Sequence, residues 1–411
     1  MKTRFNAPGA SAERHRLYVH LPSSLEVDAY REGWKAGVEP DETPYGFHLA
    51  ESLDYSVEFS KNHIRGKRAL QRAADVLRRR AMGIDLIHAW TNRRAIQRAD
   101  VIWTMLEQEA LAISVLMKLR LVDHKPIIAG TVWTLDHWSR LGKLKRLFLH
   151  GLFRTWSVLT VHSEECLEIA RREVRDVESR LLHFGVSEKS FAPLPLRDET
   201  DDGPIVIFAM GNDRTRDWET LLRAFGNDAR FRLDIVCRWL KDEAVQEYSN
   251  VRIIRAPDMA TMRALYAGAD YAAVTMHENN YSGITVALEA AALGVPILAT
   301  RTGGLSTYFA KDEMLLADVH DHVELRSAVL RQSAVDRRRM ADRARAKFQA
   351  GEYTTLGMMK RYDALTREVR TRSTGSPRER DGRPRDSRAP REDRAIKEED
   401  RRVDSISLGG R

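Results

Sequence analysis

Cysteine is scarce in this sequence: Cys166 and Cys237 are the only two among 411 residues. Disulfides therefore cannot be the main source of stability, and the two cysteines do not have the spacing of zinc ligands. Both cysteines lie in segments with apolar periodicity, which predicts buried free thiols in a reducing compartment rather than a catalytic thiol. The HExxH spacing and the phosphate-binding P-loop are also missing, so no metal site is predicted.

Long apolar runs are missing as well. No stretch reaches the length that crosses a bilayer, and the first residues (MKTRFNAPGASAERHR) are polar. Neither a membrane span nor a signal peptide is therefore predicted, and we expect a cytoplasmic location. Hydrophobic residues nevertheless make up 43% of the chain, which is enough for two globular domains with separate cores.

The formal charge of +8 is compatible with binding to nucleic acid, to an anionic membrane surface or to a phosphorylated substrate. Residues 372–411 contain 12 Lys/Arg and 9 Asp/Glu and are of low complexity. This segment cannot bury enough apolar surface to offset its ordering entropy, so a disordered tail is predicted. A nucleic-acid-binding module is disfavoured, because it would place aromatic residues among the basic ones and the tail has none.

Apolar strand patterns alternate with helical patterns twice along the chain, which predicts two doubly wound parallel sheets. The predicted strands of the first half cover 17–21, 56–60, 85–89, 100–104, 126–133 and 158–161, and those of the second half cover 205–209, 231–236, 251–254, 271–274 and 297–299. The predicted domains are 1–195 and 205–350, joined by a Pro-rich acidic linker at 196–204 and followed by a helix at 351–371.

The stretch from Tyr271 to Gly304 is the most informative one. It consists of a strand, a polar loop, a helix and a second strand, the pattern of a βαβ unit, whose ligands lie at the carboxyl ends of the strands. The helix start near Ser282–Thr285 offers free N–H groups to a phosphate. Glu289, one to two turns further on, can accept hydrogen bonds from sugar hydroxyls. The alternative is an ordinary βαβ unit with a surface glutamate.

Four segments resemble GT-B glycosyltransferases of the family-4-like group. They are LLHFGVSEKSF (181–191), IVIFAMGNDRTRDWETLLRAF (205–225), SGITVALEAAALGVPILATRTGG (282–304) and GEYTTLGMMKRYDAL (351–365). The resemblance implies two Rossmann-like domains facing across a cleft, a nucleotide-diphospho-sugar as donor substrate, no cofactor, and a last helix that returns to the first domain. It also implies that Glu289 binds the nucleotide ribose.

Two departures from that group concern the mechanism. The first glutamate of its donor motif would fall at position 281, which is Tyr281, and the nearest carboxylate is Glu278. The histidine that retaining members often carry after the strand at 126–133 is also missing, but Asp136 and His137 follow closely. The departures favour an inverting reaction in which Asp136, or secondly His137, deprotonates the acceptor. Asp136 could instead be a helix N-cap.

Donor contacts are predicted at the two strand ends of the second half that carry polar loops. The predicted donor-binding residues are Gly211, Arg214, Arg216, Glu278, Asn280, Tyr281, Ser282, Gly283, Ile284, Thr285 and Glu289, with Asn279 as a further candidate. The arginines would stabilise the departing diphosphate, although a solvated pair is the alternative. Weaker candidates are Arg238, near the nucleobase, and Tyr45, Gly46 and His48, which would contact the acceptor or a phosphate.

Residues 140–154 (RLGKLKRLFLHGLFR) form a basic amphipathic pattern in which Leu141, Leu144, Leu147, Phe148 and Leu152 lie among lysines and arginines. This pattern is typical of a helix that binds an anionic membrane surface, although an ordinary packed helix is as compatible. The chain most resembles exopolysaccharide enzymes of the succinoglycan type. That resemblance implies transfer of a hexose, glucose above all, to a polyprenyl-linked saccharide at the inner membrane face. Alternatives are a retaining transferase for lipopolysaccharide or a soluble acceptor, and a non-catalytic scaffold.

Overall fold

A computed structural model describes residues 14–80, 82–195 and 203–374. These residues form two six-stranded sheets in which every strand pair is parallel, with helices packed on the sheets. The predicted class, α/β with two Rossmann-like domains, is thereby confirmed. Most of the predicted linker and nearly all of the predicted disordered tail lie outside the described residues, but Arg372 still belongs to the last helix.

The strand order of the N-terminal sheet is β2-β1-β3-β4-β5-β6. Its strands are His15–His20 (β1), Tyr55–Phe59 (β2), Val101–Thr104 (β3), Ile127–Gly130 (β4), Val158–Val161 (β5) and Ser179–Leu181 (β6). Its helices are Val27–Lys35 (α1), Arg68–Arg80 (α2), Leu86–Thr91 (α3), Arg93–Arg98 (α4), Glu107–Lys118 (α5), Trp133–Asp136 (α6), Lys143–Phe153 (α7) and Glu164–Glu173 (α8), with 3₁₀ helices at Pro44–Leu53 and Trp138–Arg140.

The C-terminal sheet has the order β12-β11-β10-β7-β8-β9. Its strands are Ile205–Met210 (β7), Phe231–Val236 (β8), Val251–Ile254 (β9), Tyr271–Val274 (β10), Ile297–Thr300 (β11) and Leu315–Ala317 (β12). The helices are Trp218–Phe225 (α9), Met259–Ala267 (α10), Ile284–Leu293 (α11), His322–Arg331 (α12), Ala334–Ala350 (α13) and Thr355–Thr374 (α14), with 3₁₀ helices at Asp242–Ala244 and Gly303–Thr307.

The central strands are buried along their whole length, as in β3 and β4 of the first sheet and β10 and β11 of the second. Helices cover both faces of such strands, which is why their sequences are continuous apolar runs without alternation. Parallel strands end together at one edge of each sheet. The loops that follow β3, β4, β5, β7 and β10 therefore meet between the domains.

The structure differs from the sequence prediction in several places. Strands β6 and β12 were not predicted. The residues predicted as a strand at 85–89 form the N-cap and the start of α3, because the Asp85 carboxylate accepts a hydrogen bond from the His88 N–H and starts a helix. The strand predicted at 126–133 ends at Gly130, and Trp133 already belongs to the short helix α6. Residues 322–350 form two helices, since Ser333 and Asp336 form a capping box that begins α13.

The chain crosses between the domains at two adjacent places. Val186 N–H donates to the Tyr353 carbonyl over 3.0 Å, and Thr355 N–H donates to the Val186 carbonyl over 2.9 Å. Gly185 is required here, because a Cβ atom would overlap the Thr354 carbonyl. The two crossing segments are thus joined side by side like a short parallel ladder.

Beyond the crossing, α14 packs against the N-terminal sheet. The Tyr362 hydroxyl donates to the Thr104 carbonyl over 3.1 Å, and Trp103 Nε1 donates to Thr366 Oγ1 over 2.9 Å. Met358 and Met359 are fully buried in the same core. The last helix of the described chain is therefore part of the N-terminal domain.

Candidate active site between the two domains

A cleft of about 250 Å³ lies where the carboxyl ends of the two sheets face each other. The N-terminal domain lines it with residues that follow β3, β4 and β5, and the C-terminal domain with the loop after β7 and the start of α11. The residues that surround it are Tyr45, Met105, Leu106, Thr131, Val132, Trp133, His162, Cys166, Phe184, Asp213, Arg216 and Tyr281–Thr285. Six predicted donor-binding residues, Arg216, Tyr281, Ser282, Gly283, Ile284 and Thr285, are thus brought together.

Arg216 is the most unusual residue of the cleft, because its charged side chain is only 8% exposed. Its Nε lies 3.2 Å from Asp213 Oδ2, while Nη1 is buried without a hydrogen-bond partner among the described residues. Burial lowers the pKa of the guanidinium. Gly211 makes room for it, since a Cβ atom there would overlap Arg216 Nε. A buried cation with an unused donor is arranged to receive an anion.

The loop that precedes α11 is organised by Asn279. Its Oδ1 accepts hydrogen bonds from the N–H groups of Tyr281 and Ser282 over 3.1 and 2.7 Å. The Ser282 N–H is therefore already used, which corrects the expectation that it is free for a phosphate. The helix begins at Ile284, after Gly283 with φ 86°. The first N–H groups of α11 precede its own hydrogen-bond ladder and form the positive end of the helix.

Asp136 joins the two domains. Its Oδ1 accepts hydrogen bonds from Asn280 N–H over 3.0 Å and from Asn280 Nδ2 over 2.7 Å. It is the last residue of α6, so it does not cap the start of a helix. His137 is exposed, and its Nδ1 lies 3.1 Å from the Trp133 carbonyl oxygen. Neither side chain lines the cleft, and their catalytic role stays a prediction.

Glu107 holds the α6 turn in place. This buried carboxylate accepts from the N–H groups of Val132, Trp133 and Thr134 over 2.7 to 3.0 Å, and also from the Thr134 hydroxyl. A carboxylate that accepts hydrogen bonds from three N–H groups at the start of a helix is stabilised by those bonds and by the helix dipole. Glu107 thereby positions Asp136, a role that its place at the start of α5 did not suggest.

Tyr281, which stands where the resemblance expects the first glutamate, packs against the hydrophobic core of the N-terminal domain. Burial, followed by the nearby Asp136 charge, raises the pKa of its hydroxyl to about 12. Tyr281 is therefore neutral at physiological pH. Glu278, the nearest carboxylate, is exposed and does not line the cleft.

Glu289 lies in a second cavity of about 250 Å³, which shares Tyr45, Phe184 and Thr285 with the cleft. Its Oε2 accepts a hydrogen bond from the Tyr266 hydroxyl over 2.7 Å. Burial raises the pKa of the Glu289 carboxyl to about 7.

Asp41 faces Glu289 across that second cavity. Burial raises the pKa of Asp41 to about 6, although hydrogen bonds from Ser187 and Thr355 oppose the shift. The cavity therefore holds two carboxyl groups that titrate near neutrality. Asp41 was not selected from the sequence, because its surroundings include Ser187 and Thr355 of the two crossing segments, which are distant along the chain.

His162 was placed at the end of a strand but was not recognised as a site residue. It lines the cleft at the end of β5, and its Nδ1 lies 2.7 Å from the Leu182 carbonyl oxygen. That oxygen can only accept, so Nδ1 carries the proton. Burial lowers the pKa of His162 and keeps the ring neutral, which leaves a lone pair on Nε2. Nε2 is buried without a hydrogen-bond partner in the described part of the chain.

Most of the remaining candidates lie apart from the cleft. Arg214 is exposed and lines a larger groove of about 800 Å³, together with Trp239, on the other side of Arg216. Arg238 is exposed, and its N–H donates to Asn212 Oδ1 over 2.8 Å. Tyr45 lines the cleft and the second cavity, whereas His48 lies in a separate cavity, where its Nδ1 is 3.1 Å from Thr43 Oγ1.

Comparison with known protein families gives a match that covers mainly the C-terminal domain. A family model described as glycosyl transferase-like matches residues 214–362, which include Arg216, the Asn279 loop and α11. No curated protein matches the sequence. The predicted likeness to glycosyltransferases is thus confirmed, whereas nothing supports the narrower likeness to succinoglycan enzymes.

Solved structures share the two-domain GT-B fold. Sucrose-phosphate synthase from Thermosynechococcus elongatus superposes with a TM-score of 0.67 at 16% identity, over 87% of this chain and 100% of that one. Anabaena HepE in complex with UDP and glucose gives 0.60 at 12% identity, over 86% and 100%. A glycosyltransferase from Rickettsia africae gives 0.57 at 10% identity, over 87% and 99%.

Proposed function

We propose that this protein transfers a hexose from a nucleotide-diphospho-sugar to a saccharide acceptor. The observation that carries the proposal is Arg216, a buried cation with an unused donor, beside the start of α11 at the mouth of an interdomain cleft. Fixed positive charge at this place would stabilise the diphosphate that leaves when the glycosidic bond breaks. A phosphate placed between Arg216 and the start of α11 would accept hydrogen bonds from the guanidinium and from the backbone N–H groups from Ile284 onward.

The donor occupies more space than the cleft provides. Ligand sites usually measure about 300–1,000 Å³, whereas the cleft and the Glu289 cavity measure about 250 Å³ each. We therefore place the donor across both, with the diphosphate at Arg216 and the ribose at Glu289, and we expect the domains to separate slightly as it binds. This arrangement keeps the ribose role that the sequence resemblance assigns to Glu289.

UDP-glucose is the donor that we propose first. The HepE structures contain UDP-glucose or UDP with glucose, and they share this fold. The test is to incubate the protein with a panel of UDP-, GDP- and ADP-hexoses and a polyprenyl-linked saccharide, and to determine the anomeric configuration of the product by NMR. Inversion would support a single displacement assisted by a base. Retention would support the alternative mechanism, and the absence of any transfer or donor hydrolysis would contradict the proposal.

Removal of the acceptor proton requires a base on the N-terminal side of the cleft. His162 lines the cleft with a free lone pair on Nε2, whereas one Asp136 oxygen is occupied by Asn280. We therefore propose His162 as the base. Asp136, the first choice from the sequence, would then act mainly as the contact that holds the donor loop against α6.

Replacing the two residues separately tests this assignment. We expect His162→Gln to lower kcat by about 10²–10⁴-fold, because general base catalysis contributes about that much, while UDP affinity stays within threefold of wild type. Asp136→Asn is the matched comparison, since an asparagine still accepts from Asn280, and it should cost less than tenfold in kcat. Steady-state kinetics and calorimetry measure both. The reverse order of the two losses would restore Asp136 as the base.

Contact with a membrane is proposed from the exposed side of α7. Leu144, Leu147 and Phe148 are 84, 70 and 47% exposed and lie at i, i+3 and i+4 on one side of the helix. Lys143 and Lys145 are exposed beside them. Leu152, which the sequence grouped with this apolar set, is buried against the core. Within the described residues, the helices are either too short or too polar to cross a bilayer.

An apolar stripe rimmed by lysines fits the interface of an anionic bilayer, where a polyprenyl-linked acceptor would be presented. We expect the protein to float with anionic liposomes at low salt. The double substitution Leu144→Asp/Leu147→Asp should reduce membrane affinity at least tenfold. Val335→Asp provides the control, since this exposed apolar residue lies on α13 of the other domain. Equal flotation of the wild type and the double variant would remove the membrane proposal.

A further inference from the structure

Three loops at the carboxyl edge of the C-terminal sheet bring two histidines and an aspartate together outside the cleft. Asp217 lies between β7 and α9, His277 follows β10, and His320 lies between β12 and α12. One ligand atom from each residue lies within 4.8 Å of the other two. This cluster was not predicted from the sequence, because its members are far apart along the chain.

The geometry points to a site for a divalent transition-metal ion, for which Zn²⁺ is the representative. Asp217 Oδ2 lies 2.8 Å from His320 Nδ1 and 3.8 Å from His277 Nδ1. Ligand bonds of about 2.0–2.1 Å in a tetrahedron separate neighbouring ligand atoms by roughly 3.3 Å. The observed separations bracket that value, so small side-chain rotations suffice to close the site.

The kind of ligand selects the kind of ion. Two imidazoles and one carboxylate suit zinc and related first-row ions, whereas magnesium and calcium prefer oxygen ligands. Three protein ligands leave at least one coordination position for water. Because both histidines are exposed, an ion can reach the cluster from solvent.

The surroundings already hold each ligand in place. Asp217 is buried, and its Oδ1 accepts from the Thr220 N–H at the start of α9 over 3.0 Å. Its Oδ2 accepts from the Thr220 hydroxyl over 2.6 Å and faces His320 Nδ1, so Thr220 orients the carboxylate towards the histidines. The His277 N–H donates to the Thr215 carbonyl over 2.8 Å. His320 has φ 64°, a left-handed conformation that is costly for a residue with a side chain. The binding of an ion at this cluster would offset the free energy of that conformation and would connect the three loops.

The experiment is a calorimetric titration of the metal-stripped, tag-free full-length protein with Zn²⁺, without any nucleotide. We expect one saturable high-affinity ion per chain and a rise in Tm. His277→Gln and His320→Gln should each weaken binding at least tenfold and remove the rise in Tm. Both side chains are exposed, so these variants should fold. His322→Gln, two residues further on in α12, is the control and should bind as the wild type.

Two results would overturn the proposal. One is the absence of saturable Zn²⁺ binding at a stoichiometry near one, which would leave the cluster as a hydrogen-bonded Asp–His pair. The other is unchanged affinity in the double variant His277→Gln/His320→Gln, which would place the ion elsewhere. Neither result depends on sugar transfer, because no donor or acceptor is present in the titration.

Discussion

Replacement of Arg216 by methionine should lower kcat/KM for sugar transfer by about 10²–10³-fold, the usual loss when one stabilising donor is removed from a developing anion. The guanidinium lies in the cleft, where Nε is paired with Asp213 but Nη1 has no hydrogen-bond partner among the described residues. We therefore expect UDP affinity to fall together with turnover. Calorimetry with UDP and initial rates over a range of donor concentrations separate the two effects.

The same substitution should not destabilise the fold. A buried cation with an unused donor costs free energy, and a methionine of similar length fills the space beside Gly211 without that cost. Asp213, the ion-pair partner, has a side chain that is 40% exposed and stays solvated when the arginine is removed. Thermal unfolding should therefore show an equal or higher Tm. Arg223→Met on the exposed side of α9 is the control for both measurements, and wild-type UDP affinity in the Arg216 variant would contradict the donor assignment.

Replacement of Glu289 by glutamine should stabilise the protein above pH 7 and weaken donor binding. Burial raises the pKa of this carboxyl from its ordinary value of 4.5 to about 7, so the folded state binds a proton more tightly than the unfolded state. Between pH 4.5 and 7 the unfolded chain loses that proton first, and the free energy of unfolding falls as the pH rises. The loss is on the order of 3 kcal/mol at pH 8, if each pKa unit counts for about 1.4 kcal/mol.

Glutamine removes this titration and still accepts the Tyr266 hydrogen bond. Urea unfolding at pH 5 and pH 8 should show a smaller decline in stability for the variant than for the wild type. Donor affinity should change in the opposite sense: wild-type binding should strengthen as the pH rises through 7, and the variant should bind about 10–100-fold more weakly at pH 8, because a charged hydrogen bond contributes about 1.5–3 kcal/mol. Glu278→Gln is the exposed control for stability. Identical pH profiles of wild type and Glu289→Gln would show that Glu289 does not titrate near neutrality.

The sequence was sufficient for the architecture because the signals are local. Strands such as β8, β9 and β10 have the bounds that their apolar patterns predict. The strand predicted at 85–89 failed for an equally local reason, since a single aspartate cap makes the same apolar residues helical. The failure illustrates that short apolar runs fit both a strand and one side of a helix.

The candidate site is harder to predict from the sequence, because its properties come from contacts between segments that are distant along the chain. Arg216 was selected from the sequence, but its burial and its unused Nη1 depend on how the loop folds over Gly211. His162 becomes a candidate base only because the Leu182 carbonyl fixes its tautomer. Glu107 and Asp136 appear as one unit only when α6 is seen to be held by a carboxylate from α5.

The paired crossing of the chain at Val186 and Thr355 has a consequence for movement between the domains. Two adjacent backbone strands joined by hydrogen bonds resist stretching and shear but permit rotation about their common line. The paired segments would therefore act as a hinge, and rotation about them would open the cleft between the domains. Such rotation would have to break interdomain contacts such as Ser306 Oγ donating to Glu165 and Asn280 donating to Asp136. Because Asn280 lies in the loop that precedes α11, each opening would release the donor loop, and spent nucleotide could leave at that moment.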